Sequence, residues 1–300
     1  MPLSLKSDPS RTAMIRKAML ADWRRRVAWL VKEVNTFLVV DDMFGLEKAK
    51  APTFNRRDYQ FLTDDAKITE FNKFLKAKMD SGEYSKSNKW QGKPWEQQYI
   101  DSAYKQGMLR SYVDVKKADF ETPDWYLGSK EQFLMQSFGA PASKQAIALL
   151  YTRQFNLLQN YNAEMALKTS QILADGFVRG DGADTISRAM RKSMTDMTKL
   201  RADRIVRTEI VRAHAEGQLR GFEALGVDEI GILAEWSVAG DDRVCPLCAD
   251  MDGKVMTVEE AHGLIPFHVQ CRCAWIPANV GEKRNWNQGP KKQKQEKEPS

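Results

Sequence analysis

Cysteine is absent from the first 244 of the 300 residues, and the four that exist, Cys245, Cys248, Cys271 and Cys273, fall within one short stretch. Histidine is nearly as scarce, with three in the chain. No apolar run approaches the roughly 18 residues that a membrane helix needs. The longest, residues 146–151, has six, so no membrane partner is expected. The N-terminal stretch MPLSLKSDPSR has no apolar core of the kind a secretory signal carries, so reduced thiols are expected. There is no phosphate-binding G-x-x-x-x-G-K-[ST], no G-x-G-x-x-G, no H-E-x-x-H and no G-x-S-x-G. Nucleotide-dependent, zinc-protease and serine-hydrolase chemistry therefore have no local signature. No fixed repeat recurs either.

What is present is mostly helical pattern. Ile15, Met19, Trp23, Val27, Leu30, Val34 and Phe37 recur every three or four residues and predict one amphipathic helix, with Ser10 as its N-cap. Arg16, Lys17, Arg24, Arg25, Arg26 and Lys32 fill its polar side, an ordinary solvated face or a basic docking face. A second helix is predicted over about 64–79 and a third over 95–115 behind Pro94, with residues 80–94 as a long loop. A short helix starts at Ser129 and ends near Gly139. From Ser143 to Leu225 the spacing divides into several helices, breaking near Tyr161, at Gly180-Asp-Gly182 and near Thr198. Beyond Gly226 the residues change character. Ile230–Trp236 is short, apolar and β-branched and predicts a strand; Val255-Met-Thr and Cys273-Ala-Trp-Ile predict two more. The fold class is mainly α, with a small α+β Cys/His-rich C-terminal module. The domain reading is a helical N-terminal docking region over 1–140, a helical bundle over 141–226, the small module over 227–280 and a disordered basic tail over 281–300.

The sharpest chemical signal is Cys245-x-x-Cys248, followed later in the chain by Cys271-x-Cys273, with His268 three positions before Cys271. A tetrahedral zinc takes four ligands, and these five compete for the places. Such a site would cross-link the segment from Cys245 to Cys273, which is too small to hold itself together. Disulfides between the clusters, or free thiols, are the alternatives. A redox CxxC opens a helix after a strand, whereas here turn residues flank the motif. A catalytic zinc keeps one position for water and needs a nearby base; Glu259 and Glu260 are the near candidates. A second constellation, Arg201, Arg204, Arg207 and Glu209 with His214 beyond, reads as a structural or solvated polar network, or as a catalytic Arg–Glu pair.

Charge divides the chain. Residues 226–280 hold nine acids and three bases, a balance of −6. The segment 281–300 stands at +3, so residues 1–225 carry +9 to bring the whole to +6. Phosphate neutralisation dominates nucleic-acid affinity, so the acidic Cys/His module is not a DNA reader. The basic front and tail remain open to an acidic partner or to nucleic acid bound weakly and without sequence preference.

In order along the chain stand Arg201-Ala-x-Arg204-Ile-x-Arg207-Thr208-Glu209, His214-Ala-Glu-Gly217, Trp236, Asp242-Arg243-Val-Cys245-Pro-x-Cys248, Asp252-Gly253-Lys254 and Pro266-x-His268-x-x-Cys271-Arg272-Cys273. Any one piece is weak; the ordered set over roughly residues 165–280 resembles the phage Mu F-like minor head proteins, also called head-morphogenesis proteins. Ile265-Pro266 stands where the family usually has Pro-Pro. The resemblance implies a structural virion protein of few copies, not an enzyme. It would be bound to the phage portal protein, with scaffold or major capsid protein as further partners. It would enter the procapsid during assembly in the host cytoplasm and take part in genome packaging or delivery. Some relatives carry a toxin domain beyond this module; only the short stretch to Ser300 follows Cys273, so none is expected here. An enzyme acting on nucleic acid or protein through the Cys/His module, and a non-specific DNA-binding protein, are the competing readings.

Overall fold

A computed structural model describes residues 8–46, 61–87, 92–118, 128–226 and 232–279. The anticipated basic tail, the first two residues of the predicted strand at Ile230 and part of the 80–94 loop lie outside the described residues. The described chain runs α1 (Ala13–Asn35), a π-helical turn (Thr36–Val40), α2 (Phe61–Asp80), α3 (Gly82–Ser85), α4 (Gln97–Lys117), α5 (Lys130–Gly139), α6 (Pro141–Arg179) and α7 (Ala183–Ala224). Then come β1 (Ile232–Ser237), α8 (Pro246–Ala249), β2 (Val255–Met256), α9 (Val258–Ala261) and β3 (Ala274–Asn279). The mainly α class with a small α+β C-terminal module is what the structure has. No helix among the described residues is long and apolar enough to cross a membrane.

The helices follow from their stripes, with corrections. In α1 the predicted stripe is buried from Met19 to Phe37, but Ser10 is not its cap: it closes a turn with Asp8 and Thr12 ahead of the first helical residue. Arg26, assigned to the polar side, is 5 % exposed. It lies three residues after Trp23 and four before Leu30, so it falls inside a stripe wider than the apolar residues alone outline. Its guanidinium sits near Asp22, donates to the Glu83 and Tyr84 carbonyls at 2.9 and 2.8 Å, and lies 4.9 Å over the Trp95 ring. The 80–94 segment holds the short helix α3 and a bridge between Lys86 and Pro94. The breaks anticipated near Tyr161 and Thr198 do not exist: α6 spans 39 residues and α7 spans 42. Neither glycine nor proline occurs from 142 to 175 or from 183 to 216, so nothing interrupts the backbone hydrogen bonds there. Gly180, at φ +73°, separates the two, and Gly226, at φ +83°, follows α7. Ser129 caps α5 as expected, through a reciprocal capping box with Gln132.

The chain groups into two compact units. One, Ala13–Ser102 with Gln145–Ile210, packs Trp23 edge-on against Trp95 and Tyr161 at 5.9 and 4.9 Å, and also buries Leu75, Leu173 and Met190.

The other comprises Met1–Thr12, Ala103–Lys144 and Val211–Ser300 and carries the sheet. Its order is β2-β1-β3, with both pairs antiparallel. Trp236 stands opposite Trp275, and these rings meet edge-to-face at 5.2 Å. Ile232, Ala234 and Trp236 alternate inward along β1, the period of two that a one-sided sheet needs. The α7 side chain of Gln218 receives the Trp275 N–H at 3.1 Å and donates to the Trp275 carbonyl at 2.7 Å. One amide thus completes the hydrogen bonding of a strand residue and ties the sheet to the helix. Within this unit α4 and α7 come so close that a Cβ added to Gly107 would lie 2.1 Å from the His214 carbonyl oxygen, and one added to Gly217 would lie 2.1 Å from that of Tyr104.

Candidate metal centre

The first half of the centre is built by α8. Cys245 is its N-cap, Pro246 its first residue, and the Cys245 sulfur accepts from the Cys248 N–H at 3.4 Å. This turn aims both thiols to one side. The second half is the turn from His268 to Cys271, closed by Cys271 N–H to His268 carbonyl at 3.2 Å, with Gln270 in the left-handed region. The two halves meet at His268. Its Nε2 lies 3.1 Å from the Cys245 sulfur and 3.0 Å from that of Cys248, while Nδ1 is 2.8 Å from the Val269 carbonyl. Donation from Nδ1 to a carbonyl leaves Nε2 with the free lone pair that a metal ligand needs.

All five anticipated ligands are brought together. Cys245, Cys248 and His268 form one group, Cys248, Cys271 and Cys273 another, with the ligand atoms of each within 4.8 Å of one another. Cys248 belongs to both. The Cys248 and Cys271 sulfurs are 3.9 Å apart, close to the roughly 3.8 Å that tetrahedral geometry sets for two thiolates on one zinc. That is far beyond the S–S bond of about 2.05 Å in a disulfide, and all four thiols are free. Cys248, Cys271 and Cys273 are each at most 3 % exposed. The Cys273 hydrogen bond holds the Cys271 thiol down at about 5, and the same bond pushes Cys273 up. Burial raises Cys248 to about 12. Crowded, buried sulfurs do not all ionise unaided; a divalent cation bound here would replace their protons. The donor set of soft sulfurs and one imidazole suits zinc-type ligation.

Two supports were invisible in the sequence. Arg272, between Cys271 and Cys273, donates two bonds to Asp241 at 2.5 and 2.6 Å, and the same carboxylate accepts from the Arg243 N–H at 3.1 Å. Arg272 holds the Asp241 carboxyl well below the usual range. This fork fixes the approach to Cys245 against the Cys-x-Cys segment, the kind of outer bracing metal sites use. Nearby in the chain, His262 lies between Glu216 and Glu223 of α7, at 2.7 Å from Nδ1 and 2.8 Å from Nε2. No motif spacing links these partners; only their charges hinted at pairing.

The remaining predicted residues are separate from the centre. Glu209 is 2 % exposed and held by Arg153 of α6 at 3.0 and 3.2 Å, a partner the sequence reading did not name. Arg201 pairs with Glu164, and Arg204 is exposed. His214 is fully buried and kept neutral, burial and then the Arg110 charge pushing it down to about 3. Glu260 is occupied in a capping box with Thr257, whose backbone N–H lowers its carboxyl; Glu259 is exposed.

Residues 168–276 match the model of a family described as Phage Mu protein F like protein. Comparison with curated proteins and with solved structures gives no match. The matched segment takes in the C-terminal part of α6, all of α7, the sheet as far as Ile276 and the entire Cys/His cluster. Over residues 168–276, about a third of the chain, the sequence is therefore similar to the Phage Mu F-like family.

Proposed function

We infer that the chain is a minor head-morphogenesis protein of a tailed bacteriophage, a structural component rather than an enzyme. The observation that carries this reading is the family match over 168–276, which encloses the whole Cys/His centre. The proposal extends to docking on the portal protein, with scaffold or major capsid protein as further contacts. Entry into the procapsid from the host cytoplasm and a part in packaging or delivery of the genome follow from that position. A centre whose sulfurs are almost all buried suits a cross-link better than a reaction site, because a catalytic metal needs an open position.

The proposed metal is zinc, held by four of Cys245, Cys248, His268, Cys271 and Cys273. When bound, it supplies a covalent-strength tie between the α8 turn and the His268–Cys273 turn. Cys245 and Cys248 orient through the α8 cap, His268 through its bond to the Val269 carbonyl, and Cys271 with Cys273 through the Arg272–Asp241 fork. Elemental analysis of the purified chain should give about one zinc per molecule, and Cys245→Ser should lose it. A metal-free, fully folded module would refute the zinc assignment. Co-purification with the portal ring, or density at that vertex, tests the location; a uniform distribution over the capsid lattice would refute it.

A further inference from the structure

His268 joins the Cys245–Cys248 turn to the His268–Cys271 turn, and exposed large apolar side chains stand on or beside each. Leu247, inside the Cys245–Cys248 turn, is 60 % exposed; Phe267 and Val269, on either side of His268, are 45 % and 60 % exposed. Single exposed apolar residues are ordinary, but three on two turns joined through one side chain concentrate apolar surface in one small part of the module. Their backbone is held, not loose. His268 Nε2 is within 3.1 Å of both sulfurs that flank Leu247, and the Phe267 ring packs edge-on against buried Trp236 at 5.7 Å. A preorganised apolar tip loses little conformational freedom on docking.

The surroundings state what the partner must be. The described module, residues 232–279, carries seven acids and three bases. Asp241 is already paired with Arg272, and Glu260 is occupied at its cap. Asp242 and Asp250 flank the Leu247 turn in sequence and are exposed. An apolar tip within acidic ground repels nucleic acid and is complementary to a protein surface with an apolar recess and a rim of lysine or arginine.

We propose that Leu247, Phe267 and Val269 form the docking face of this module for such a basic-rimmed recess on the portal protein, a step that rests on the portal reading above. The test measures binding of the full, metal-loaded chain to its cognate portal protein. Leu247→Ser/Val269→Ser should weaken binding by about tenfold or more. Asp242→Lys/Asp250→Lys should weaken it and flatten its dependence on salt between about 50 and 300 mM. Metal content and circular dichroism equal to the parent's establish that both variants fold. Unchanged affinity in either folded variant overturns this docking face and leaves the portal reading standing. No binding by the parent chain overturns both.

Discussion

His262 shows how one side chain can join two segments far apart in the chain. Each ring nitrogen faces a carboxylate, Glu216 at 2.7 Å and Glu223 at 2.8 Å. Both nitrogens can donate only when the ring is protonated. Glu216 first, and then Glu223, raise its pKa from 6.5 to about 9. The folded value is above the unfolded one, so this stabilisation is fully present below about pH 6.5 and is lost as pH rises through about 9. His262→Gln should lower stability by on the order of 1–3 kcal/mol at pH 6.5, with the gap to the parent closing by pH 10 in urea titrations. His214 behaves oppositely. Its folded pKa is pushed down to about 3 by burial, so the unfolded chain takes up the proton first. Stability falls as pH drops from about 6.5 towards 3, and His214→Gln should flatten that limb. Both histidines look alike in the sequence. Burial without a carboxylate, against half-burial between two, sets their opposite charge states.

For the elements, close approach decides more than propensity. Glycine in a helix interior is worse than alanine by about 1 kcal/mol, yet α4 and α7 retain Gly107 and Gly217 where an added methyl would strike backbone at 2.1 Å. Gly217→Ala and Gly107→Ala should each destabilise by roughly 1–3 kcal/mol or more, because backbone cannot yield as a side chain does. Gly139→Ala at the end of α5, with nothing within 4 Å of the added Cβ, should be neutral or slightly stabilising. Thermal unfolding of the three variants checks the contrast. Equal shifts would mean that the helix crossing is looser than described. The same crossing presents Gln218 to Trp275, so the helix pair also positions the strand leading out of the Cys/His cluster.

At the scale of the whole molecule, regular structure is unevenly shared. The helices bury their own apolar stripes, whereas the segment from Cys245 to Cys273 has two four-residue helices and a two-residue strand. So small a piece is the kind that a metal cross-link, as proposed above, would hold together. Chelation with a strong zinc chelator should therefore release the metal and raise hydrogen exchange across Ile232–Asn279. Exchange from Met19 to Val34 should hardly change. Equal loss of protection in both would show that the centre supports more than its own module.

Much of this was legible in advance. Helical stripes, the Ser129 cap, the three strands and the Cys/His spacing are local or near-local patterns, set by 3.6- and 2-residue periods and by ligand chemistry. The full lengths of α6 and α7 were not, because phase drift in a stripe imitates a break, while the helices end only where Gly180 and Gly226 turn left-handed. Tertiary structure alone decided the rest. Arg272 met Asp241 across 31 positions, His262 met Glu216 across 46, and Arg153 met Glu209 across 56. No period links residues that distant, and a charge does not announce which of many opposite charges it will face. The four cysteines, absent from four fifths of the chain, by themselves marked where a Cys/His cluster able to hold a metal would form. Folding decided which turns they join, what braces them, and which apolar tips are left facing outward.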